Sequence, residues 1–341
     1  MAFEHTNNHT MEIRSLFSSS VIHQEFVAQA SNKRNCQKLA LVLDEQSLTY
    51  AEIMFYVQKL AMNIIEKGFG KYQQKKEEFI VFQYVRQSIE MCIGMFTTLT
   101  IGGAYLGLNP NDPIERTEIL IDEIQSNQLH NNILILVHSV TAKKFHVKIK
   151  ETYCIVQIDN ILQSEEINAP ICNQQLNILS NVKVNRESLA FLIGTSGSTS
   201  KPKFVERCHC QMIASTDVFS SVNIYNSNQI ILQIAGCVWI WHLFEFVSAM
   251  ILGSTLVMLR PGGNLNMSYL TYTIQEKQVT AVTTGPSLMK QLAEYVSTLP
   301  QKRQEHSLLS IQTYLVGGNY TVFFSEHIIG AKLNKTYLNV S

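Results

Sequence analysis

The 341-residue chain has no net charge, because 27 Lys and Arg balance 27 Asp and Glu. Lacking a basic excess and any run of one sign, it gives no reason to expect a nucleic-acid partner or a charged tail. A disulfide framework is equally unsupported. The seven cysteines (Cys36, Cys92, Cys154, Cys172, Cys208, Cys210 and Cys237) are odd in number and scattered, which suits reduced thiols in a cytoplasmic protein. Cys208-His209-Cys210 has the outline of a metal hook. Zinc sites, however, usually space paired cysteines by about two to four residues and need a second pair. The chain lacks one, so no metal site is expected. No apolar run makes a membrane span. Residues 89–108 hold Glu90 and end in Gly102-Gly103, and residues 231–259 carry His242 and Glu245 at their middle and Gly253 further on. The N-terminus, MAFEHTNNHTMEIRSLF, is polar and acid-bearing, unlike a secretory signal or a transit peptide. Residues 1–20 are expected to form a flexible leader. Internal repeats are also missing.

What is present is a packed core. Apolar residues make up 46% of the chain and charged residues 16%, and the length allows one large domain or two medium ones. Short apolar runs alternate with helical spacing almost throughout. Thr49-x-x-Glu52 is a capping box, followed by Ile53, Val57, Leu60, Ala61 and Ile64 at helical intervals and Gly68 as a helix stop. "FIVFQY" (79–84), "NILILVH" (132–138), "CIVQID" (154–159) and "SLAFLIG" (188–194) read as strands. So do "IILQIAG" (230–236), "STLVMLR" (254–260), "VTAVTTG" (279–285), "IQTYLVGG" (311–318) and "KTYLNVS" (335–341). Strands joined by helices imply an α/β fold with mostly parallel sheet covered on both faces.

The strand at 188–194 runs into "TSGSTSKPK" (195–203), where five hydroxyl side chains and two lysines surround Gly197. Glycine allows close backbone approach, the hydroxyls and N–H groups donate, and lysine neutralises charge. Together they describe an anion cradle suited to phosphates. A plain Ser/Thr/Gly linker has the same composition, but linkers rarely grow from a fully apolar strand within an α/β pattern. The common motif G-x-x-x-x-G-K-[ST] does not fit, since Thr199 stands five places after Gly194 and Pro202 five after Gly197.

"GTSGSTSKPK" resembles the phosphate loop of the adenylate-forming enzymes, the superfamily of acyl-CoA synthetases, luciferase-like ligases and nonribosomal peptide synthetase adenylation domains. Further segments are similar to that family's motifs, in its order. They are "LTYAEI" (48–53), "GGAYLGLNPNDPIER" (102–116), "CVWIWHLFEFVSAMILGSTLVML" (237–259), "VTAVTTGPSLMKQL" (279–292) and "YLVGG" (314–318). The adenylation domains are the nearest match, over residues 20 to 341.

The resemblance implies a fold of two interleaved, mostly parallel α/β lobes, the N-terminal core of such enzymes. Residues 76–205 would form one lobe, and 21–75 with 206–341 the other. It implies joining of a carboxylic acid to ATP with Mg²⁺, release of pyrophosphate, and transfer of the acyl group to a thiol such as phosphopantetheine. Thr195, Ser196, Gly197, Ser198, Thr199 and Lys203 would hold the ATP phosphates. Ser200 and Phe204 replace customary glycines. His209 falls where the family often has a histidine near the acyl site, although a lone histidine on a mixed helix is as readily structural. The acid pocket would be lined by Ala235, Gly236, Trp239, Thr283, Leu315 and Gly317. Trp239 has the alternative of simply packing the core. Ala235 stands where amino-acid-activating relatives carry an Asp for the α-ammonium. A buried ammonium without a counter-charge is costly, so an uncharged acyl or aryl acid, or a hydroxy or keto acid, is expected unless another carboxylate reaches in.

Motifs of the family for adenine, for ribose and for the C-terminal subdomain's lysine are not found, and Asn319 replaces an acid. The sequence therefore reads as a partial adenylating ligase, truncated before Y-G-x-T-E and inactive alone, with the C-terminal subdomain absent. A carrier domain or that subdomain elsewhere would be its partner. A non-catalytic remnant that binds a nucleotide or a partner is the alternative.

Overall fold

The computed structural model describes residues 20–70, 79–126, 133–144, 153–164, 169–195, 202–317 and 336–340, with backbone alone at 195, 317 and 336–340. The described chain opens with α1 (Ile22–Ser31), β1 (Leu39–Leu43), β2 (Gln46–Thr49) and α2 (Tyr50–Glu66). Then come β3 (Ile80–Tyr84), α3 (Ile89–Thr100), β4 (Ala104–Gly107), α4 (Ile114–Ser126), β5 (Ile133–Val137) and α5 (Ser139–Ala142). They lead to β6 (Cys154–Gln157), α6 (Ile158–Leu162), α7 (Asn173–Ser180), and the hairpin β7 (Leu189–Thr195) and β8 (Lys203–Cys208). The second half runs α8 (His209–Ser221), β9 (Ile230–Gln233), α9 (Ile240–Leu252), β10 (Thr255–Met258) and α10 (Met267–Glu276). It closes with β11 (Ala281–Thr284), α11 (Pro286–Thr298), α12 (Gln301–Ser307), β12 (Thr313–Gly317) and β13 (Thr336–Val340).

Among the described residues these strands build two sheets. One has seven strands in the order β13-β12-β11-β9-β10-β1-β2, the other six in the order β6-β5-β3-β4-β7-β8. Every pairing is parallel except β1–β2 and β7–β8, which place an antiparallel strand at one edge of each sheet. Alternation along each strand supplies two buried faces. In β3, Val81 faces a central core while Ile80 and Phe82 face an outer one. In the other sheet Leu41 and Leu256 face the same central core, whereas Val42 and Val257 face a third cluster. The central core is filled by α1, α2, α3, α8 and α9, which lie between the sheets; Phe26, Tyr50, Phe96 and Phe246 are among its largest members. The layers are thus helix, sheet, helix, sheet, helix.

Local chemistry sets the helix that starts this packing. Thr49 Oγ1 accepts the Glu52 N–H while Glu52 Oε2 accepts the Thr49 N–H, so the capping box is formed. Past the far end, Gly68 adopts φ +89°, the left-handed conformation that releases the chain from the helix. No helix among the described residues is long and apolar enough to cross a membrane.

Strand order also locates a crevice. β9 connects to β10 on one side, while its other neighbour β11 connects outward to β12. Loops leaving adjacent parallel strands in opposite directions open a gap at their carboxyl ends, the usual ligand position in such sheets. The carboxyl ends of the six-stranded sheet meet that gap. Gln87, just after β3, donates its amide to Gln233 Oε1 at 3.1 Å, and Cys237 Sγ donates to the Leu108 carbonyl at 3.4 Å. The approach at the end of β4 is closer still. A Cβ added to Gly107 would lie 2.6 Å from the Cys237 carbonyl oxygen and 3.0 Å from the Tyr105 hydroxyl. Gly107→Ala should therefore destabilise the fold by about 1–3 kcal/mol, as other overpacked sites do. Urea unfolding would read this as a lower midpoint at unchanged slope; an unaltered midpoint would show that the two sheets part freely there.

Candidate functional site

The turn from β9 into α9 forms the floor of the crevice. It contains Ile234, Ala235, Gly236, Cys237, Val238 and Trp239, and is closed by the Trp239 N–H donating to the Gly236 carbonyl at 2.9 Å. Beneath it lies a polar cluster inside an otherwise apolar core. Gln233, His242 and Glu245 are all fully buried. His242 and Glu245 are three residues apart and share one face of α9. Glu245 Oε2 accepts the Ala235 N–H at 3.2 Å and the Gln233 side-chain amide at 3.4 Å. The same amide donates to the Ala235 carbonyl and lies 3.3 Å from His242 Nδ1, while His242 Nε2 lies 3.5 Å from the Tyr105 hydroxyl. Glu245 Oε1 is buried without a hydrogen-bond partner.

Burial decides the charge of this cluster. Desolvation pushes the Glu245 carboxyl up to about 8, against the opposing pull of the hydrogen bonds it accepts. The same effect lowers His242 to about 4. At neutral pH the carboxyl is mostly protonated and the imidazole neutral, so the floor of the crevice carries no standing ion.

The segment expected to hold phosphates lies between β7 and β8 in the sequence. Thr195 and Lys203 are register partners at the mouth of the hairpin, whereas Ser196, Gly197, Ser198, Thr199 and Ser200 lie outside the described residues. β7 runs parallel to β4, with Phe191 opposite Tyr105. Its carboxyl end therefore points to the same edge of the sheet as Gly107 and Leu108, which touch the β9 turn. The hairpin's mouth and the crevice share one edge of the six-stranded sheet. Phe204 pairs with Gly194 and packs against the outer core of the six-stranded sheet.

The remaining residues singled out in the sequence divide. Ala235 and Gly236 form the turn itself and are half-buried. Trp239 caps α9 and is 65% exposed, so the alternative in which it packs the core is overturned: its position before the helix turns the indole outward. Thr283 and Leu315 are buried on the inner face, where Thr283 Oγ1 lies 2.6 Å from the Tyr225 hydroxyl. Gly317 ends β12. His209 is fully buried, accepts the Ile22 N–H on Nδ1 at 3.3 Å and meets His23 edge to face, which gives it a packing contact between α1 and α8. Sequence reasoning missed Gln87, Tyr105, Gln233 and the role of His242 and Glu245. The available signal was an acid and a histidine on one face of an apolar run, which served only to exclude a membrane span.

The family model described as AMP-binding enzyme matches residues 28–322. Gramicidin S synthase 1 of Brevibacillus brevis is 28% identical over 93% of this chain, and malpinin synthetase of Mortierella alpina 28% identical over 85%. The chain spans only about a quarter of the first relative and 3% of the second. Among solved structures, the nonribosomal peptide synthetase FmoA3 superposes with a TM-score of 0.76 at 16% identity, covering 95% of this chain and 32% of that one. The Klebsiella oxytoca NpsA N-terminal subdomain bound to 3-hydroxybenzoyl-AMSN gives 0.68 at 19% identity, covering 94% and 70%. These two likenesses speak to the fold, which is that of the N-terminal core of adenylate-forming enzymes. With the family model matched over most of its length, the chain belongs to the AMP-binding enzyme family.

Proposed function

We propose that this domain binds ATP through the loop at 195–203 and, in the crevice beside it, a carboxylic acid that lacks a charged α-amine. In the adenylating reaction an oxygen of the acid's carboxylate attacks the α-phosphorus, the bond to pyrophosphate breaks, and an acyl adenylate remains. Positioning and charge neutralisation carry most of such a step. Thr195, Ser196, Gly197, Ser198, Thr199 and Lys203 are the proposed phosphate contacts, and Mg²⁺ would enter with ATP. No described residue is assigned to the metal. A phosphopantetheine thiol, on a carrier domain, is the proposed acceptor.

The observation that supports the choice of acid is the neutral floor of the crevice. Ala235 offers no carboxylate, and the one acid behind it, Glu245, has no exposed surface and keeps its proton at neutral pH. An ammonium placed there would lose water without gaining a standing counter-charge. A second reading, a non-catalytic nucleotide binder, is favoured by Phe204, whose ring packs beside Gly194 where the family has a more mobile glycine.

Calorimetry with two acyl-adenylate mimics separates the possibilities. Benzoyl-sulfamoyladenosine should bind at least about tenfold tighter than phenylalanyl-sulfamoyladenosine, a gap of roughly 1.4 kcal/mol. Ala235→Asp should narrow or reverse the gap; equal binding of the two mimics by the unaltered chain would overturn the assignment of the acid. ATP–pyrophosphate exchange then distinguishes ligase from binder, since the second reading requires tight mimic binding with no exchange.

Glu245 also yields a pH dependence. Its folded value lies above the ordinary carboxylate value of 4.5, so the folded state binds the extra proton. The stabilisation is complete below about 4.5 and is lost as pH rises toward about 8. Glu245→Gln imitates the protonated acid and should flatten that decline, leaving the variant more stable than the parent at pH about 8–9, by an order of 1–3 kcal/mol. Thermal melts across this range would check it, and parallel curves for the two proteins would refute a buried, protonated Glu245.

A further inference from the structure

Away from the crevice, at the other end of the β7–β8 hairpin, three metal-ligating side chains converge. Glu187 precedes β7, Cys208 ends β8, and Cys210 lies in the first turn of α8. Their ligand atoms all lie within 4.8 Å of one another, the one such group of three among the described residues. The two sulfurs are 3.1 Å apart, and Cys210 Sγ is 3.5 Å from Glu187 Oε2. Backbone bonds hold this arrangement. The His209 N–H donates to the Ser188 carbonyl at 3.2 Å and the Cys210 N–H to the Arg186 carbonyl at 2.9 Å, which press the start of α8 onto the lead-in to β7.

We propose that Glu187, Cys208 and Cys210 hold a thiophilic divalent cation, zinc by preference, at the base of the hairpin. Bond lengths allow it. On a tetrahedral zinc, thiolate and carboxylate oxygen stand about 3.6 Å apart, and two thiolates about 3.8 Å. The first spacing is present already between Cys210 and Glu187; the second needs the sulfurs to part by less than about 1 Å. Two soft sulfurs favour zinc or cadmium over magnesium or calcium. Three protein ligands leave a fourth position for water at this partly exposed surface. Without a cation the two thiols are hydrogen-bonded to one another. A cation would displace the thiol protons and draw on both sulfurs as thiolates. Sequence spacing alone argued against a site, because the third ligand lies 21 residues before Cys208 and reaches it only through the antiparallel pairing of β7 with β8.

The test uses the full 341-residue chain, stripped of metal under a non-thiol reductant and titrated with Cd²⁺. The expected result is one ion per chain, bound at roughly micromolar affinity or tighter, with an ultraviolet thiolate-to-cadmium band. Cys208→Ser and Cys210→Ser should each weaken the band and the affinity by at least about tenfold, and Glu187→Gln should weaken the affinity without removing the band. Cys172→Ser, at an exposed thiol outside the cluster, should change neither. Melting provides a second reading: Zn²⁺ should raise the midpoint of the parent by a few degrees and leave that of Cys208→Ser unmoved. A band that survives in both cysteine variants, no binding by the reduced parent, or a Cys208–Cys210 disulfide that resists the reductant and blocks cadmium would each overturn the proposal.

Discussion

The contact on which the molecule depends is the meeting of two parallel sheets at their carboxyl edges. Each sheet alone would present strand ends to water. Here the end of β4 presses on the β9 turn so closely that only glycine fits at 107, and the Gln87–Gln233 amide pair joins the end of β3 to the end of β9. A crevice between two sheets needs both a fixed separation and a fixed register. The close backbone approach supplies the first and the directional amide bond the second. Everything proposed for the site, from the loop mouth at Thr195 and Lys203 to the floor at Ala235, is positioned by that junction.

The same junction explains why polar side chains are tolerated beneath it. A fully buried carboxyl would be expensive as an ion, and Glu245 avoids the cost by keeping its proton while accepting the Ala235 N–H and the Gln233 amide. Gln233 reaches Gln87 on one side and the α9 face on the other, so it serves both the contact between sheets and the shape of the turn. Neutrality of the crevice and attachment of the sheets are two results of one hydrogen-bonded cluster.

Much of the fold was legible in the sequence because it rests on periodicity. The apolar run Ile133–Val137 is buried along its whole length as β5, and Thr49 with Glu52 closed the capping box that their spacing implied. Contacts between distant segments were less legible. Nothing local to Glu245 indicates that its carboxyl meets Ala235, since that depends on how far α9 rotates over the end of β9. Nor does the sequence near Trp239 reveal that the indole turns outward, because a residue one place before a helix can face either way. Spacing finds what lies within one element and misses what two elements share.

The β7–β8 hairpin shows how one element can serve two ends differently. β8 is an edge strand, paired on one side only, and Lys203 and Glu206 flank the exposed Val205 with charges that discourage further pairing. An edge strand is held on one side only, so the mouth proposed to contact phosphates depends on what fixes the strand's other end. Thr195 and Lys203 keep their place at the crevice edge only if the base stays fixed. The backbone bonds from His209 and Cys210 to the lead-in of β7 fix that base, with the first turn of α8 as the anchor. About 20 Å of strand separates that anchor from the hairpin's mouth at Thr195 and Lys203, so the base is fixed independently of the crevice edge.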